Sequence, residues 1–120
     1  MLNVLLVFIG GGLGSVSRYG IGALIKQAGW VHFPWATLIA NVLASSILAI
    51  AALLIADRIQ EAQLRLLLIT GFCGGFSTFS AFAYETVELY RKGATGMMAL
   101  NVAVNVLLCV AVIYIIYKKA

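Results

Sequence analysis

The chain has 120 residues, of which 63% are hydrophobic and 10% charged, and its mean hydropathy is +1.07. A soluble domain of this size could not bury that much apolar surface, so the chain reads as an integral membrane protein. The net charge of +4 gives no pointer to nucleic acid, because the charges cluster at the ends of apolar runs, where they anchor helices.

Those runs are continuous and lack the period-two alternation of membrane strands, so they read as helices. The N-terminus has neither a basic n-region nor a small-residue cleavage site, and no cleaved signal peptide is expected. Four spans are expected in one transmembrane domain covering residues 1–120, at about 2–25, 35–56, 66–89 and 97–117.

The first span carries GGGLGSVSRYGIG. Gly10 and Gly14 form a GxxxG pair, and Gly11 with Ser15 a second small-xxx-small pair, which lets a neighbouring backbone approach closely. Arg18 lies inside the span. A buried guanidinium is costly, so it must snorkel, pair or face water; an electropositive vestibule is compatible with the first and third. Trp30, His32 and Trp35 follow as an interfacial set. His32 has no second ligand beside it and is not read as a metal site.

On the second span Thr37, Asn41 and Ser45 repeat every four residues, one polar stripe on an apolar helix. A buried Asn needs a partner. It supplies either an interhelical hydrogen bond or a pore-lining N–H donor for an anion. Asp57, Arg58, Glu61 and Arg65 read as a solvated cap.

The third span holds GFCGGFSTFSAF from Gly71 to Phe82. Glycine is a poor helix former, and mixing it with Ser and Thr predicts unwinding, with one helix ending near Gly74 and another restarting near Ser77. Irregular backbone at membrane depth is tolerated only where it is buried in protein or lines a wet cavity. The unpaired carbonyls of the first half suit a small hard cation such as sodium. Phe79 and Phe82, three apart, share a face; presented edge-on, their rings could attract an anion without trapping it. Ordinary packing also accounts for two such phenylalanines. Asn41, Ser80 and the ring edges are the available anion set. Further along, Glu88 can pair with Arg91 or Lys92. Glu85, one turn deeper, has no local partner and is expected with Arg18 at a water-filled vestibule.

The fourth span repeats Asn101, Asn105 and Cys109 every four residues, a stripe suited to face the Thr37–Asn41–Ser45 stripe or a second subunit. Cys73 and Cys109 lie in apolar runs and read as packing residues, without a disulfide. Four spans put both termini on one side, with Arg58, Arg65, Lys118 and Lys119, against Lys26, Arg91 and Lys92 on the other. That bias is too small to fix an orientation. Insertion both ways would allow an antiparallel dimer, giving in two chains the inverted symmetry that transporters build in one. No catalytic constellation or phosphate loop is present in the sequence.

The GGGLGSVSRY run, Asn41, the GFCGGFSTFSAF break and the Asn101/Asn105 pair together resemble the Fluc/CrcB family of fluoride channels, over the whole chain. The resemblance implies a multi-pass protein of the bacterial inner membrane. It implies a dual-topology homodimer in the lipid bilayer with two fluoride pores and one central sodium ion that is not transported. It further implies that carbonyls of Gly74 and Ser77 from both chains hold the sodium, that Asn41, Phe79 and Phe82 line the fluoride path, and that Arg18 contributes to a positive vestibule. The implied role is passive fluoride efflux, not catalysis. Ala81 and Ala83 depart from the hydroxyl residues usual in the family, as does Cys109, so the hydroxyl rail is thinner and rests mainly on Ser80.

Two alternatives remain open from sequence. A small dual-topology proton-coupled multidrug exporter needs a membrane-embedded carboxylate, and the four acidic residues read as lying at or beyond helix ends. A structural membrane subunit would leave the Asn stripes and Arg18 without a role.

Overall fold

The computed structural model describes residues 1–56 and 61–120; Asp57 and Arg58 of the expected charged cap lie outside the described residues. Among the described residues four helices are long and apolar enough to cross a membrane: α1 (Leu2–Gln27), α2 (Trp35–Ile55), α3 (Glu61–Arg91) and α4 (Thr95–Lys119). Among the described residues the regular structure is helical throughout. α1 and α3 end on Gly29 and Gly93, at φ +78° and +76°, the left-handed position that glycine reaches without a Cβ penalty.

The third span consists of two arms. The first runs Glu61–Leu64, widens into a π-helix over Arg65–Cys73, and closes with Gly74–Phe76. The second arm is Phe79–Arg91. The span begins earlier than residue 66 and carries a Glu61–Arg65 ion pair of 2.7 Å. Between the arms Ser77 and Thr78 are extended, at φ −76°, ψ 158° and φ −151°, ψ 117°.

This corrects the expected break. The glycines of the motif stay helical, and the chain leaves the helix at Ser77, not near Gly74. The reason is packing. α1 lies along the first arm of α3, and glycine faces backbone on both sides. A Cβ on Gly71 would lie 2.9 Å from the Gly10 Cα and 3.0 Å from the Leu66 carbonyl oxygen. Gly75 meets the Gly11 backbone in the same way, and Gly14 meets Phe72 and Phe76. The GxxxG pair of α1 thus finds its partner within the chain, and the glycines of α3 serve close approach.

α2 packs along α4. Ala40, Ala44 and Phe76 form a buried cluster with Ile21, Ile47 and Phe72 against it. Phe76 is the last helical residue before the break, so the first arm is anchored in the core where it stops. Large apolar side chains such as Phe8, Leu24, Leu54 and Leu107 are exposed, which suits a lipid-facing surface.

Candidate functional site

A broken helix leaves backbone groups that the bilayer cannot satisfy. Here a side chain from α2 satisfies them. Asn41 Oδ1 accepts from the Thr78 N–H at 2.7 Å, and Asn41 Nδ2 donates to the Thr78 carbonyl at 3.2 Å. The amide therefore binds both backbone groups of one residue, as a neighbouring strand would. The second Nδ2 bond goes to Asn105 Oδ1 at 3.2 Å. Because the Thr78 N–H can only donate, the orientation of the Asn41 amide is fixed by its partners.

Thr78 also starts the second arm. Its Oγ1 accepts from the Ala81 N–H at 3.1 Å, an N-cap bond. These two diversions have one consequence. In an unbroken helix the Thr78 N–H would serve the Gly74 carbonyl, and the Ala81 N–H would serve the Ser77 carbonyl. Both donors are taken by side chains, so those two carbonyls are left without their helical partners. They are the pair that the family resemblance implies for sodium. The neighbouring carbonyls have other partners: Cys73 accepts from the Ser77 N–H at 2.9 Å and from its hydroxyl at 2.8 Å. Gly75 accepts from Arg18 Nε at 3.3 Å.

Phe79 and Phe82 sit 5.5 Å apart between ring centroids, tilted by 52°. They line a 260 Å³ cavity with Asn41, Ser77, Thr78 and Asn105. Ser45 and Cys109 also line it, and among the described residues no charged side chain does. Phe79 is 79% exposed in the single chain, so it fills no core of its own. Ser80 is exposed, approaches Thr78 Oγ1 at 3.4 Å and does not line the ring cavity.

Arg18 lines a separate cavity of 560 Å³ with Tyr19, Lys26, Thr37 and Thr78. Among the described residues two cations and no acid border it, so its field favours anions. Thr78 lines both this cavity and the ring cavity, which makes the break the wall they share.

Glu85 is placed differently from the sequence expectation. It lies inside the second arm, not at a helix end, and it has a partner: Thr37 Oγ1 donates to Glu85 Oε1 at 2.8 Å. Its Oε2 is buried and has no hydrogen bond among the described residues. It lines a 600 Å³ cavity with His32, Glu88 and Lys92, not the one around Arg18. Glu88 pairs with Arg91 at 3.1 Å.

The two polar stripes meet where expected. Asn41 bonds Asn105, and Asn105 Nδ2 donates to the Asn101 carbonyl at 3.0 Å and to Asn101 Oδ1 at 2.9 Å. Asn101 Nδ2 donates to Thr86 Oγ1 at 3.0 Å. The sequence reading missed Thr78, Thr37 and Thr86 as partners. Thr78 had a legible signal, since a threonine directly before a helical run is an N-cap candidate. Thr37 and Thr86 had none, because their partners are distant in sequence.

Comparison with known proteins covers nearly the whole chain. The family model described as CrcB-like protein, Camphor Resistance (CrcB), matches residues 5–117. The fluoride-specific ion channel FluC of Agrobacterium fabrum is 36% identical over 115 residues, 95% of this chain and 92% of the relative. That of Coxiella burnetii is 43% identical over 112 residues, 92% and 90% of the two chains. Fluoride-specific ion channel FluC 2 of Nitrobacter hamburgensis is 41% identical over 110 residues, 91% and 89%. A family match of that extent, on four helices of membrane-spanning length, establishes that this multi-pass membrane protein belongs to the CrcB family.

Proposed function

We propose that the protein is a fluoride channel that lets the ion leave the cytoplasm passively, in a bacterium across the inner membrane. The relatives named above are called fluoride-specific ion channels. The observation that carries the reading is the neutral ring cavity, which shares Thr78 with a cavity bordered by Arg18 and Lys26. Taking a small ion out of water costs on the order of 20 kcal/mol in the idealised limit. A full charge inside the path would offset that cost but would hold the ion. Positive charge beside the path concentrates the anion, and ring edges and polar groups within it bind weakly enough to release. Both N–H groups of Asn41 are committed in the protomer, so a donor role toward fluoride requires it to exchange one of its present bonds.

The working unit is an antiparallel homodimer. Gly12, Ser15, Gly74, Ser80 and the Phe79 ring are exposed at mid-span. Small and polar residues there suit a protein neighbour better than lipid. A second copy inserted in the opposite sense would cover them. Sodium fits the two carbonyls of Gly74 and Ser77, whose helical donors are diverted. A hard cation accepts carbonyl oxygen ligands, and it would neutralise their partial charge where two copies cross. Family membership sets the proton-coupled exporter aside.

Liposomes holding the reconstituted protein test the function. Fluoride efflux that exceeds chloride efflux and needs no proton gradient is expected. Proton-coupled movement of a cationic dye, or no flux of any ion, would defeat it. The dimer is tested by cross-linking cysteines placed at Ser15 and Ser80, and sodium by comparing thermal stability of the purified dimer in sodium and in a large organic cation.

A further inference from the structure

Asn101 and Asn105 are the buried residues of α4, and Asn101 is fully buried. Burying an amide without partners is costly, and both are bonded in one continuous series. The Thr78 N–H donates to Asn41, Asn41 to Asn105, Asn105 to Asn101, Asn101 to Thr86, and Thr86 Oγ1 to the Phe82 carbonyl at 2.7 Å. The series leaves α3 at Thr78, passes through α2 and α4, and returns to α3 at Phe82. It therefore closes a circuit around the first turn of the second arm, where Phe79 and Phe82 sit.

The circuit has a single polarity. A backbone N–H at one end can only donate, and a backbone carbonyl at the other can only accept. Turning over any one amide would set two donors or two acceptors face to face. Such series are cooperative, and each bond polarises the next. We propose that Thr86, Asn101 and Asn105 are positioning residues of the anion path: the circuit they complete between Thr78 and Phe82 holds the Phe79 and Phe82 rings and the Asn41 amide in register. This rests on the fluoride-channel reading. Thr86 lies at the far end and is not among the residues lining the ring cavity, so cutting the circuit there leaves the lining chemically unchanged.

The test compares Thr86→Val, which removes the hydroxyl at nearly constant shape, with Thr86→Ser, which keeps it. Both are made in the full-length reconstituted protein, with 4-fluorophenylalanine at position 82. Thr86→Val is expected to slow fluoride efflux on the order of tenfold, as a misplaced group does, and to shift the fluorine resonance of the labelled ring. Thr86→Ser is expected to keep both near the parent values. Unchanged efflux and resonance in Thr86→Val overturn the inference. Equal damage in Thr86→Ser also overturns it, since that makes the position steric. Should Thr86→Val not assemble, Asn101→Leu cuts the same circuit, and parent-like readouts there count against it equally. If the unsubstituted protein passes no fluoride, the channel reading fails, and the labelled-ring resonance still decides the circuit.

Discussion

Gly14→Ala probes how α1 seats the first arm of α3. A Cβ at Gly14 would lie 2.7 Å from the Phe76 nitrogen and 3.0 Å from the Phe72 carbonyl carbon, and closer still to the Phe72 carbonyl oxygen. Ordinary contact begins at 3.4 Å. The obstructing atoms are backbone, so no rotamer change relieves the overlap. The helices must separate by about 0.7 Å or more, and overpacking of this kind costs about 1–3 kcal/mol. The separation also pulls Gly75 from Arg18, whose bond to the Gly75 carbonyl is already long at 3.3 Å. Gly14→Ala is therefore expected to lower the thermal stability of the purified protein and to reduce fluoride efflux together. Gly20→Ala on the same helix is the comparison, because nothing lies within 4 Å of a Cβ there. If Gly14→Ala matches Gly20→Ala in melting temperature and efflux, the glycine seam does not set the position of the break.

Substitutions at three further positions address the break itself. Phe79→Ile should cut fluoride efflux while leaving the fold intact, because the ring is 79% exposed in the single chain and supports little of its core; unchanged efflux removes the ring-edge argument. Asn41→Asp should abolish conduction, since it sets a carboxylate oxygen against the Thr78 carbonyl and Asn105 Oδ1, both now served by Nδ2, and places a negative charge in the proposed path. Normal efflux in that variant would move the path elsewhere. Thr78→Val removes the cap on Ala81 and should cost about 1 kcal/mol of stability, whereas Thr78→Ser should retain it; calorimetry or a thermal melt in detergent separates the two.

The four spans were legible because membrane insertion is set by local hydropathy over about 20 residues. The same holds for the small-residue pairs of α1, the Thr37–Asn41–Ser45 and Asn101–Asn105–Cys109 stripes, and the shared face of Phe79 and Phe82, which all follow from helical periodicity. The resemblance to the family rested on these local features, and the comparisons bear it out. The spacing also indicated that the third span is interrupted.

Where the interruption falls was decided by contacts between segments. Glycine propensity alone argued for unwinding at Gly74, yet Gly71 and Gly75 remain helical because Gly10 and Gly11 press against them. The helix stops at Ser77 because Asn41, 37 residues away in sequence, takes the Thr78 N–H. Glu85 gains Thr37 across 48 residues, and so sits apart from the Arg18 cavity it was expected to share. Periodicity records which face a residue occupies, but a hydrogen bond at membrane depth depends on which helix stands opposite, and only the packed chain fixes that.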